Sequence, residues 1–292
     1  MSDRAQISTL DSKDSEIKNV VYYERNSMFS AKVETAKFNN QITHLIEDPD
    51  SIRYLYRPII DASTGKIYAF LSTLKLYDSP FANIYEAARY ASKINKSKEL
   101  VATILKNIVT TYSNESFDND VFLFAPGSLI GIDNIKEAFS SFKNADTVKF
   151  VIIIQEEEIA ELLSEGKTIT DIYNILSTPE YSFAILLKSD NLILDSSLYS
   201  RFDYFILDGV LTRDIRRNNR NRLKVHTLIE NLLKYKRAII ASDLEGWVSI
   251  ELVLKAGLNY VSSETISPSS DMLLPVDKKK SSKISLMAEK YK

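Results

Sequence analysis

This sequence predicts an α/β fold, a TIM-like (β/α)8 barrel opened by an antiparallel hairpin and preceded by a helix, on three observations. Short apolar runs recur along it: Tyr54–Ile60, Lys66–Leu76, Val121–Ala125, Val148–Ile154, Phe183–Leu187, Tyr204–Leu207, Ala238–Ala241 and Tyr260–Val261. Amphipathic stretches separate most of them, the sequence form of a parallel sheet whose outer face is covered by helices. The first two runs are joined only by Asp61-Ala62-Ser63-Thr64-Gly65, a hairpin signal, so these two strands must run antiparallel. Eight strands over about 240 residues favour a closed barrel over an open doubly wound sheet.

Each element follows in order. Residues 1–14 are rich in Ser, Asp and Lys, which predicts a disordered tail. From Ser15 the apolar positions Val20, Val21, Phe29, Val33, Phe38, Ile42 and Ile46 keep a loose three-to-four spacing. That pattern marks a helical connector over 15–50, stopped by Asp48-Pro49-Asp50. The barrel is expected over 51–275. Its helices are expected from Phe81 to about Thr111, then at Asn134–Phe142, Glu156–Leu163, Ile169–Leu176, Leu223–Leu233 and Val248–Lys255. Glu156-Glu157-Glu158 puts negative charge at a helix start, where the macrodipole favours it. The segment 276–292 is basic and polar and reads as a frayed tail.

The 292 residues are 45% hydrophobic and 26% charged, with a formal net charge of −2. A sizeable core can be buried, and no global field draws the chain to nucleic acid or an acidic membrane. With no cysteine, disulfides, thiolate nucleophiles and cysteine metal sites are excluded. The N-terminus has no apolar segment of a secretory signal, and no stretch reaches the ~18 apolar residues of a membrane span. A cytoplasmic location is the expectation. His44 and His226 fall on separate helices without a triad or zinc spacing around them. The seven glycines form no phosphate-binding loop. Trp247, at a helix start, is a candidate to plug a pocket or pack beneath one. One dense basic run remains: Arg213, Arg216, Arg217, Arg220, Arg222 and Lys224, either a solvated helix face or a surface for an acidic partner.

Five segments resemble the EAL-domain family of cyclic di-GMP phosphodiesterases. Tyr56-Arg-Pro-Ile-Ile-Asp61 with Thr64-Gly65-Lys66-Ile67 is similar to the family's opening "YQPIVD…TG.I". Pro80-Phe81 with Ile84, Tyr85 and Ala88 is similar to "P..FI..AE". Phe202-Asp-Tyr-Phe-Ile-Leu-Asp208 resembles "DYIKID", Ile239-Ile-Ala-Ser-Asp-Leu-Glu245 resembles "VIAEGVE", and Ala256-Gly-Leu-Asn-Tyr-Val261 resembles "LGVDYVQGY". Their order and spacing cover the chain from about Arg53 to Pro275. The 15–47 helix resembles the connector that joins a GGDEF domain to an EAL domain.

The resemblance implies an active site of two divalent cations, held by carboxylates and an asparagine at the C-terminal ends of the strands. At the matched positions this chain departs from the pattern. The glutamate of Glu-Ala-Leu falls on Leu71, the asparagine of the third strand on Phe124, and the first glutamate of "E.TE" on Ile153, while Glu156 keeps the second. The two aspartates of "DDFG" fall on Leu186 and Leu187, the catalytic lysine on Ile206, the first glutamate of "EGVE" on Ser242 and the last-strand glutamine on Ser262. Hard cations need oxygen ligands, so no cofactor and no metal is expected. Covered Leu, Ile or Phe at such positions bury ~1.5–3 kcal/mol each. The dinucleotide-gripping glutamine and arginine fall on Arg57 and Lys75, which are either residual phosphate contacts or solvated strand-end charges.

The expected function is therefore that of a catalytically inactive, pseudo-phosphodiesterase EAL-like domain. It would serve as a protein-interaction or regulatory module in bacterial cyclic di-GMP-related signalling. A non-hydrolysing cyclic di-GMP sensor and a divergent phosphodiesterase are the alternatives. A protein partner or a second copy in a homodimer is expected, with cyclic di-GMP possible and neither nucleic acid nor membrane.

Overall fold

The computed structural model describes residues 35–113, 122–127, 129, 149–177 and 181–291. The expected tail over 1–14, most of the expected connector helix and the expected helix Asn134–Phe142 lie outside these residues. Two compact units divide at Asp48 and Pro49. In the first, residues 35–47 form helix α1, and its last turn ends at Asp48 ahead of Pro49.

The second unit is a closed eight-stranded barrel. Strands β1 (Ile52–Asp61) and β2 (Lys66–Leu76) pair antiparallel, with Arg57 opposite Leu71. From β2 onward the pairs are parallel through β3 (Phe122–Pro126), β4 (Lys149–Gln155), β5 (Ser182–Leu187), β6 (Tyr204–Leu207), β7 (Ala238–Ala241) and β8 (Tyr260–Val261). The barrel closes where β1 meets β8 antiparallel, Ile60 opposite Val261 and Asp61 opposite Tyr260. The hairpin is built as its turn residues dictate. Asp61 accepts from the Ser63 amide at 2.8 Å, and Gly65 supplies a left-handed φ of 69°.

Helices cover the outside: α2 (Ile84–Lys93), α3 (Ser97–Ser113), α4 (Glu156–Ser164), α5 (Ile169–Leu176), α6 (Ser196–Tyr199), α7 (Gly209–Thr212), α8 (Asn219–Leu233), α9 (Gly246–Lys255) and α10 (Lys278–Glu289). Their starts carry side-chain caps that satisfy first-turn amides, including Asn83 for α2, Thr168 for α5, Asp208 for α7 and Asn218 for α8. Strand alternation divides the core in two. Ile59, Ala69, Leu71, Phe124, Val151, Ile153, Ala184, Tyr204, Ile206 and Ile240 fill the barrel interior. Their neighbours in sequence, among them Ile152, Ile154, Phe183, Ile185, Leu187, Phe205 and Leu207, face the helices.

The segment after Pro275 departs from the expected frayed tail. It forms α10, capped by Asp277 and packed through buried Ile284, Met287 and Ala288. A Cβ on Gly65 would lie 2.8 Å from the carbonyl oxygen of Ser281, so α10 lies directly against the β1–β2 turn. Three residues at helical spacing carry the burial. The surrounding lysines and serines hide them from a reading by composition.

Candidate functional site

The parallel strands all point their C-terminal ends toward one mouth, where the loops after them converge. A cleft of about 250 Å³ opens there. Its apolar lining includes Leu71, Ile153, Leu186 and Ile206, and its polar lining includes Asn83, Gln155, Lys188, Asp208, Ser242 and Asp243. Among the described residues, no three Asp, Glu or His side chains converge as a metal-binding group. Among the described residues lining the cleft the carboxylates are Asp208 and Asp243, fewer oxygen ligands than a pair of hard divalent cations requires.

Charge at the mouth is organised around Arg57. Only 9% exposed, it forms an ion pair with Asp243 in the loop after β7 and another, at 2.9 Å, with Glu264 in the loop after β8. Its Nε and Nη2 also donate to the Ser269 hydroxyl at 3.1 and 2.8 Å, and that hydroxyl donates to Glu264. Partial burial pushes the Glu264 carboxyl up. The Ser269 hydroxyl, the Arg57 guanidinium and the Ser269 amide outweigh it and hold the group below its ordinary value.

Asp243 owes its aim to backbone geometry. Its φ of 54° is a left-handed conformation that a short polar residue tolerates. The loop after β6 lies hard against it: a Cβ on Gly209 would stand 2.6 Å from the Asp243 Cβ. Buried hydrogen bonds tie the same loops, Thr212 hydroxyl to Ser242 carbonyl at 3.0 Å and Ser263 hydroxyl to Leu244 carbonyl at 2.5 Å.

No model of a known protein family matches the chain. One curated relative is the DNA double-strand break repair nuclease NurA of Sulfolobus acidocaldarius, 24% identical over 180 residues. That match covers 62% of this chain, and the chain spans about half (52%) of the relative's length. Among solved structures, the Pseudomonas aeruginosa FimX EAL domain bound to c-di-GMP matches with a TM-score of 0.60 at 15% identity, over 80% of this chain and 96% of that one. The EAL enzyme Bd1971 in its cAMP and cyclic-di-GMP bound form matches with a TM-score of 0.62 at 14% identity, over 97% and 77%. Bacillus subtilis YkuI, with an EAL domain, in complex with substrate c-di-GMP and calcium, matches at 0.63 and 13%, over 86% and 62%. The fold is that of the EAL domains.

Within the EAL fold the positions matched to the family's ligand pattern do not all meet. Leu71, Ile153, Leu186 and Ile206 line the cleft together. Phe124, fully buried, lies among the interior side chains, its ring 4.9 Å from that of Tyr204. Leu187 is not at the mouth, because strand alternation turns it outward into the strand–helix layer. Ser242 lines the cleft and donates to the Leu207 carbonyl at 2.9 Å. Ser262 is fully buried, its hydroxyl without a hydrogen-bond partner among the described residues.

Arg57 is not the solvated strand-end charge of one expectation, being buried and paired with Asp243 and Glu264. Its partners come from loops far later in the chain, which no local signal announces. Lys75 is exposed, and its charge adds to the lowering of Glu264.

Glu156, which keeps the second glutamate of "E.TE", is not among the residues lining the cleft. It accepts from the Tyr199 hydroxyl and from the Ile193 amide at 2.9 Å, and burial pushes it above its ordinary value. It is a structural strut for the loop after β5. Trp247 packs on the outer core under the Lys283 ammonium, 4.0 Å from its ring centre, and so joins α9 to α10 and does not fill the cleft. Arg213, Arg216 and Arg217 are exposed between α7 and α8, and Arg220 and Arg222 are exposed on α8 itself. The structure brings none of them to the mouth cleft. His44 and His226 each pair with a carboxylate one turn along, Asp48 and Glu230. No helix among the described residues is long and apolar enough to cross a membrane.

Proposed function

We propose that this chain is a catalytically inactive EAL-like domain that acts as an interaction or regulatory module in cyclic di-GMP-related signalling. One observation carries the reading: four apolar side chains, Leu71, Ile153, Leu186 and Ile206, line the mouth at positions where the EAL pattern has carboxylates and a lysine. Two-metal hydrolysis needs cations to generate hydroxide and clamp the attacked phosphate, and leucines and isoleucines do neither. The Arg57 cluster points the same way. Its guanidinium is neutralised by Asp243 and Glu264, so a phosphate arriving there would have to displace a carboxylate. A retained scaffold with an altered mouth is the pattern of a fold kept for its surfaces, toward a protein partner or a second copy of itself.

The test is direct. The full chain incubated with cyclic di-GMP and magnesium or manganese should give no linear product, and any chelator-sensitive turnover would overturn the reading. Calorimetry with the same dinucleotide separates an inactive sensor, which releases heat without product, from a pure interaction module. Light scattering checks self-association.

The resemblance to the archaeal repair nuclease supports a second reading, in which the chain cleaves DNA. Incubation of duplex and single-stranded DNA with the chain and manganese decides between the two, since only a nuclease shortens the strands.

A further inference from the structure

A groove between α8 and α9 lies apart from the mouth cleft. It encloses about 430 Å³ and is lined by Leu223, Ile229 and Leu252, with Arg222 and Lys255 among its cations. Leu223 is 68% exposed, more than any other large hydrophobic residue described. Isolated exposed leucines are ordinary, but this one borders an apolar concavity.

The approach to the groove is strongly basic. Arg213, Arg216 and Arg217 stand exposed on the chain leading into α8 and Arg220 in its first turn, and neither they nor Arg222 form an ion pair among the described residues. The sixth cation of the run, Lys224, is engaged by Asp190 at 3.0 Å. The first turn of α8 holds no acidic residue. Cations there oppose the helix dipole and repel one another, so the arrangement is locally unfavourable in the isolated chain. With 37 basic and 39 acidic residues in all, the patch is a local concentration and not a property of the whole.

We propose that the α8–α9 groove and its arginine approach bind an acidic segment of a partner protein, one that places apolar side chains beside Leu223. This rests on reading the chain as an interaction module and names the chemistry of the partner. Charge complementarity supplies the acidic character, and the concave apolar lining supplies the anchors. A nucleic-acid backbone would satisfy the arginines but leave the apolar lining unused. A membrane surface would meet a concavity where insertion needs a protruding apolar face.

A synthetic helical peptide with leucines at i, i+3 and i+7 and glutamates elsewhere serves as the probe. It is fluorescently labelled and titrated with the full chain, read by anisotropy. Binding is expected, weakening as salt rises from about 0.05 to 0.5 M. Leu223→Ser, and Arg217→Glu combined with Arg220→Glu, should each weaken it by about tenfold or more. All three positions are exposed, so the variants keep the fold, which circular dichroism verifies. The proposal is overturned if the peptide does not bind or if the variants bind it as the parent does. It is equally overturned if a leucine-free acidic peptide binds as tightly, or if a DNA duplex or phosphatidylglycerol vesicles bind more tightly. Peptide binding is read independently of cyclic di-GMP turnover. An inactive chain that ignores the peptide loses only this inference, and an active chain that binds it loses only the functional reading.

Discussion

At Arg57 one guanidinium serves two carboxylates and a hydroxyl, and removing it leaves Asp243 and Glu264 without their cation. Both carboxylates are about half exposed, so solvent screens much of the loss. Arg57→Met should destabilise the chain by about 1–2 kcal/mol in urea unfolding. Because the Glu264 carboxyl is held below its ordinary 4.5, its contribution is present above that pH and is lost as pH falls through the lowered folded value. Ser269→Ala should therefore flatten the acid limb of the stability curve below pH about 4.5. Glu156 has the opposite sign. Burial raises it above 4.5, so the folded state holds its proton more tightly, and stability falls as pH rises through the raised value. Glu156→Gln keeps an acceptor for Tyr199 and Ile193 without a buried charge. Its stability should equal or exceed the parent's at pH 7 in the same unfolding assay. Tyr199→Phe, which strips a partner from that buried carboxylate, should cost about 1–3 kcal/mol.

Among the elements, α10 was the least legible. Ile284, Met287 and Ala288 keep i, i+3, i+4 spacing, but Lys278, Lys279, Lys280, Lys283 and Lys290 surround them and suggest a solvated end. Once folded, Ile284 is fully buried. Ile284→Ala should cost about 2–4 kcal/mol, and truncation after Pro275 should cost at least as much, read from denaturation midpoints. The strands were the most legible elements. Runs such as Phe150-Val-Ile-Ile-Ile154 are too short and too apolar to be anything but buried strands, and each expected strand falls within a residue or two of the observed one. The same alternation rule separates Leu186 from Leu187. Matching both to a pair of aspartates by motif alone overlooked that adjacent strand residues face opposite sides.

For the whole molecule, the barrel interior forms an apolar cluster running up to the mouth, and this opposes placing a carboxylate there. Ile153 is 3% exposed and packed among apolar neighbours, so Ile153→Glu buries a charge without a partner. It should cost about 3 kcal/mol or more and yield no turnover, measured by thermal unfolding and product analysis. The architecture was readable because strand count and a two-residue period survive drift in individual side chains. The Arg57 cluster was not, because its members come together only through barrel closure, from strand β1 and the loops after β7 and β8.

That closure gives Gly209 a reach beyond its size. With its Cβ position 2.6 Å from that of Asp243, one added methyl must push the β7 loop aside. The guanidinium of Arg57 would then lose a counter-ion and turn its donors to solvent. A single uncharged substitution two loops away could thus unmask a cation at the mouth, and an inventory of charged positions would record no change.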